Sequence, residues 1–92
     1  MTLLTTQERN DLRTALLAEL VNASAVAFPV EALVRRATRS RMVDFEISLA
    51  DARHELGELH GAGFAKVIAH EVTKQPHYQA TPEGVLAHQN SA

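Results

Sequence analysis

Apolar positions along the chain recur first at helical and later at strand spacing. In TTQERNDLRTALLAELVNAS, Leu12, Leu16 and Leu20 form one stripe that Leu17 and Val21 widen, beyond the roughly 100° that a single core contact needs. Thr5 stands ahead of the run with Glu8 three residues on, the spacing of a capping box, so a first helix is predicted over 6–23. Its broad apolar face suits a central buried helix, or a homodimer seam through Leu17 and Val21. In AFPVEALVRRATRS, Pro29 occupies a favourable helix start and Val30, Leu33, Val34 and Ala37 repeat at helical spacing, which predicts a second helix over 29–40. On a helical wheel Arg35, Arg36 and Arg39 fall opposite that stripe, so they are expected to face solvent or a partner.

RMVDFEI is too long for a tight turn between helices, and its Met42, Val43, Phe45 and Ile47 predict a structured loop over the core with room for a short strand. Ser48 and Asp51 repeat the capping spacing, and Leu49, Ala52, Leu56 and Leu59 form the expected inward stripe of a third helix over 49–61. HGAGF ends it, with Gly61 or Gly63 free to take the left-handed conformation. FAKVIAHEV and HYQAT are rich in strand formers and flank TKQPH, predicting a two-stranded hairpin over 64–81 with Pro76 at or near the turn. Thr81, Pro82 and Glu83 read as cap, first helical residue and first-turn acid of a short closing helix through EGVLAHQ. The prediction is one domain over 1–92 with an ordered core of about 6–88 and loose ends at 1–5 and 88–92.

Composition narrows the function. Ninety-two residues with 46% hydrophobic content suit a single small core. With no cysteine, disulfides, thiolate metal sites and cysteine nucleophiles are excluded. No apolar run approaches the roughly 18 residues that cross a bilayer, and no basic-then-apolar leader opens the chain, so the expected setting is cytoplasmic with no membrane partner. A net charge of −2 is low for a non-specific DNA binder, but the charge is unevenly spread. Residues 30–41 carry Arg35, Arg36, Arg39 and Arg41 against Glu31, whereas 44–60 carry Asp44, Glu46, Asp51, Glu55 and Glu58 against Arg53. The basic and acidic stretches can serve a nucleic acid, or meet each other within one chain or between two.

Catalytic chemistry finds little support. His54 with His60, and His70 with His77, are the thinkable metal pairs, yet neither has the spacing of a helical zinc motif and no third ligand is evident. Asp51 and Glu55 stand one helical turn apart, but so small a domain predicts no deep pocket around them. The sequence has no phosphate-cradling glycine loop and no nucleophile elbow. No enzyme activity, catalytic residue, cofactor or metal is expected.

The element order, together with LADARHELGELHGAGF and YQATPEGVLA, resembles the winged helix-turn-helix superfamily over residues 6–88. The second motif is similar to the Y-x-L-T-x-x-G ending where a wing strand feeds a closing helix. A narrower likeness is to small winged-helix proteins of Mu-like phages and prophages. The resemblance implies a mainly α fold with a small β-hairpin: a three-helix core, a two-stranded wing and a short C-terminal helix. It also implies a DNA-binding or DNA-associated regulatory role, with the third helix in the major groove of double-stranded DNA and the wing on the backbone.

Carried onto this chain, the outward positions of the third helix are Ala50, Asp51, His54, Gly57 and Glu58, with Arg53 on the flank. That face is poor in base-reading side chains, and its carboxylates repel phosphate. Candidate DNA contacts are Arg35, Arg36, Arg39 and Arg41, then Arg53 and His54, and Lys66 and Lys74 from the wing. The alternative is a winged helix that contacts protein and not DNA, with Leu17, Val21, Asp51 and Glu58 as its candidate surface.

Overall fold

The computed structural model describes residues 3–90. Helix α1 (Thr6–Asn22) starts at the expected capping box: the Thr5 hydroxyl accepts from the Glu8 amide at 3.1 Å and the Glu8 carboxylate accepts from the Thr5 amide at 2.9 Å. Thr5, expected to be loose, is thereby fixed. Helix α2 (Val30–Ser40) follows Pro29 and closes on Arg41, which takes a left-handed conformation. Helix α3 (Leu49–Gly61) is capped by Ser48, whose hydroxyl accepts from the Asp51 amide at 3.0 Å. At its other end Gly63, and not Gly61, turns left-handed with φ of 85°. The Phe64 amide donates to Leu59 and the Gly63 amide to His60, a pairing that satisfies carbonyls a helix end would otherwise leave open and seats an apolar residue just past it.

Strands β1 (Ala65–Ala69) and β2 (Pro76–Ala80) pair antiparallel, from Ala65 opposite Ala80 to Ala69 opposite Pro76. Pro76 therefore opens β2, and the reversal is made by 70–75, with Lys74 at φ of 61°. The loop before α3 contains no strand. An extra rung lies elsewhere, where Phe28 bridges Tyr78 through bonds of 2.8 and 2.7 Å and places β2 between Phe28 and β1. Helix α4 (Pro82–Asn90) carries the chain through His88, another residue expected to be loose, while Met1, Thr2, Ser91 and Ala92 of the expected loose ends lie outside the described residues. Thr81 joins hairpin to helix: its hydroxyl accepts from the Gly84 amide at 3.0 Å and donates to the Gly63 carbonyl at 2.6 Å.

The core centres on α1. Leu12, Leu16 and Leu20 meet Leu33 of α2 and Leu56 and Leu59 of α3, all fully buried; each such leucine stabilises the fold by about 2 kcal/mol relative to an exposed one. Ala37 and Ala52, also fully buried, let the helices approach closely. Leu49 departs from its expected place and is 39% exposed. It is the first residue of α3 and lies about 70° from the line midway between Ala52 and Leu59 at 100° per residue, so the core passes beneath it. Three packed helices, a two-stranded wing and a short closing helix give the winged helix-turn-helix architecture. No helix among the described residues is long and apolar enough to cross a membrane.

Candidate nucleic-acid interface

Helix α3 has two electrostatically different sides. Inward, Glu55 is fully buried among Ala52, Leu56 and Leu59, where an unpaired carboxylate would be strongly unfavourable. Two arginines of α1 reach it: Arg13 donates to one carboxylate oxygen at 2.9 Å and Arg9 to the other at 3.3 Å. Arg9 also holds Asp51 at 3.4 Å, and the Ser48 hydroxyl donates to the second Asp51 oxygen at 2.8 Å. Asp51, expected on the outward face, is thus half-buried against α1. The exposed face presents Ala50, Arg53, His54, Gly57 and Glu58, with the His54 ring 3.9 Å from the Glu58 carboxylate. The surface proposed for protein contact keeps Glu58 but loses Asp51 to α1.

The arginines of α2 also divide. Arg35 and Arg39 are exposed as expected, whereas Arg36 is half-buried, donating to Glu19 of α1 at 3.2 Å and stacking its guanidinium 4.8 Å from the centre of the Phe28 ring. The reason is angular, since Arg36 sits on the flank of α2 that faces α1. Glu19 is itself buried and accepts a second bond, 2.6 Å long, from the Ser40 hydroxyl. Helix α1 is therefore fastened to α2 and to α3 by a buried glutamate in each case, one of its own and one belonging to α3.

The basic and acidic stretches do not neutralise each other in the expected sense. Among the described residues, one ion pair links them, and it joins the acid of the basic stretch, Glu31, to the base of the acidic one, Arg53, at 3.9 Å. The other Glu31 oxygen accepts from the Gln75 side chain at 3.3 Å, so α2, α3 and the wing turn meet at one carboxylate. Arg35, Arg39, Arg41, Lys66 and Lys74 have no carboxylate partner among the described residues. Lys66 lies on β1 opposite Gln79 and Lys74 in the wing turn.

His70 and His77 stand with ring centres 5.3 Å apart and planes tilted by 32°, and the His70 Nδ1 accepts from the Val72 and Thr73 amides. No group of three His, Asp or Glu side chains among the described residues is arranged to hold a metal ion. Leu17 and Val21, proposed for a dimer seam, are half-buried and pack against the core of their own chain. The residues that sequence reasoning missed are Arg9, Arg13, Glu19, Glu31 and Gln75. For Arg9 a signal existed, since it lies seven residues before Leu16, within about 20° of it on the wheel.

No family model and no curated protein matches the chain. Among solved structures, that of a transcriptional regulator from Clostridium thermocellum aligns with a TM-score of 0.77, over 98% of this chain and 84% of the other, at 17% identity. At that identity the likeness is one of fold, and it extends over nearly the whole of the present chain.

Proposed function

We propose that this protein binds double-stranded DNA in a regulatory role and catalyses no reaction, laying the exposed face of α3 along the major groove with the wing against the backbone. The observation that carries this reading is the sequestration of Asp51 and Glu55 by Arg9 and Arg13. Two of the three α3 acids, Asp51 and Glu55, are turned toward α1, which leaves Glu58 as the one acid on the exposed face, while Arg35, Arg39, Lys66 and Lys74 have no carboxylate partner among the described residues. The fold neighbour's description as a transcriptional regulator supports the same reading. A cytoplasmic homodimer, with phage or prophage origin as the narrower likeness, completes the proposal; two copies would double the cationic set.

Phosphate contacts reveal themselves through salt. In fluorescence-anisotropy titrations with a mixed-sequence duplex, the wild-type protein is expected to bind at low salt with log affinity falling linearly in log salt. Replacing both Arg35 and Arg39 with Ala should flatten that slope by about 1.8, at about 0.9 for each lost contact. Absence of binding at low salt, or an unchanged slope in the variant, would overturn the assignment.

A further inference from the structure

We propose that Glu31 is an internal stand-in for phosphate, a carboxylate that holds the DNA-facing surface closed in the free protein and is displaced when a duplex docks. This rests on the DNA reading above and adds a regulation of the same surface. Glu31 lies in the first turn of α2 with its side chain 37% exposed. One of its oxygens faces the Arg53 guanidinium of α3 at 3.9 Å, and the other accepts from Gln75 at the end of the wing turn at 3.3 Å. An acid in this turn also complements the helix dipole, but that role needs no contact with two other elements. Glu31 supplies both, and the two partners come from 22 and 44 residues further along the chain.

The chemistry is one of competition. A guanidinium pairs with a carboxylate or a phosphate in the same geometry, so the Glu31 carboxylate, 3.9 Å from Arg53, competes with a backbone phosphate or a guanine edge for that side chain. A phosphate approaching Arg53 also meets the Glu31 charge directly. When the carboxylate swings away, Gln75 loses its acceptor and the wing turn is freed to settle on the duplex. Engagement of α3 and release of the wing are therefore one event, and weak encounters that supply too few contacts to displace Glu31 are rejected.

The test pairs Glu31→Ala with Glu83→Ala, which removes an exposed first-turn acid from α4 and so changes net charge and helix-dipole complementarity equally. With a 20-base-pair mixed-sequence duplex at low salt, Glu31→Ala should bind about tenfold more tightly than wild type with a salt slope steeper by about one, and Glu83→Ala should stay within twofold. The gain should vanish when Arg53→Ala is combined with Glu31→Ala. In the free protein, the Lys74 amide, which donates to the His70 carbonyl within the wing turn, should exchange with solvent faster in Glu31→Ala than in Glu83→Ala. Equal gains in the two variants, a gain that survives loss of Arg53, or unchanged exchange at the wing turn would each overturn the latch while leaving DNA binding intact. Failure of both wild type and Glu31→Ala to bind would overturn the DNA reading and this inference with it.

Discussion

Arg9 and Arg13 of α1 and Arg35 and Arg39 of α2 are the same residue type, each pair spaced one turn apart on a helix of one small domain, yet they do opposite work. The first pair faces a carboxylate that has no access to water, and the planar fork of N–H donors on each guanidinium lets two arginines share that charge. The second pair points away from the core and meets no acid among the described residues. Linear charge counting treats the two pairs alike. What separates them is which residue of the facing helix lies opposite, and this decides whether an arginine consolidates the fold or remains available to a partner.

The sharpest way to break this contrast is to remove the inner pair. Combined Arg9→Ala and Arg13→Ala should destabilise the domain by about 3 kcal/mol, because a buried charge is left without its cations. A urea-unfolding midpoint near that of wild type would erase the distinction. A smaller effect of opposite sign is expected at Gly57, on the exposed face of α3, where a Cβ would meet no atom within 4 Å. Gly57→Ala should raise stability by about 1 kcal/mol in the same assay, since glycine in a helix interior carries that cost without a packing reason. The smallest effect belongs to the outer pair. Arg35→Ala with Arg39→Ala should leave stability within about 0.5 kcal/mol of wild type, even though the same variant is expected to weaken DNA binding. A large loss of stability would mean that these arginines are structural after all.

Much of the architecture is written in short local signals. The Thr5 and Ser48 caps, the glycine after α3 and the Thr81–Pro82 start of α4 are each encoded within a few residues, and the structure has them where the spacing predicts. The Phe28–Tyr78 rung is a single pairing across 50 residues, with no run of alternation to announce it. Leu49 misled because its apolar character was given more weight than its place at the end and edge of the stripe. Glu55 was legible in principle: it stands within about 40° of Leu59 on the wheel, an angle that should have marked it as inward. Its partners were harder to foresee, since choosing Arg9 and Arg13 requires knowing how α1 and α3 are rotated against each other. The Glu31 contacts share that difficulty, because they depend on three elements docked at once.

The junction between hairpin and closing helix has its own consequence for the wing. A methyl group at position 84 would strike the Phe64 carbonyl, and the Thr81 hydroxyl is bonded on both sides of the same corner. The hairpin is thereby pinned at its base, where β1 leaves α3 and β2 enters α4, whereas its turn is tied to α2 through the Gln75–Glu31 bond, the contact proposed to open on docking. A ribbon pinned in this way bends like a cantilever: in the proposed DNA complex its outermost residues would follow the local width of a groove while its root keeps a constant offset from α3. Adaptation to differently shaped duplexes would then be confined to 70–75, leaving the spacing between the two contact elements as an invariant ruler.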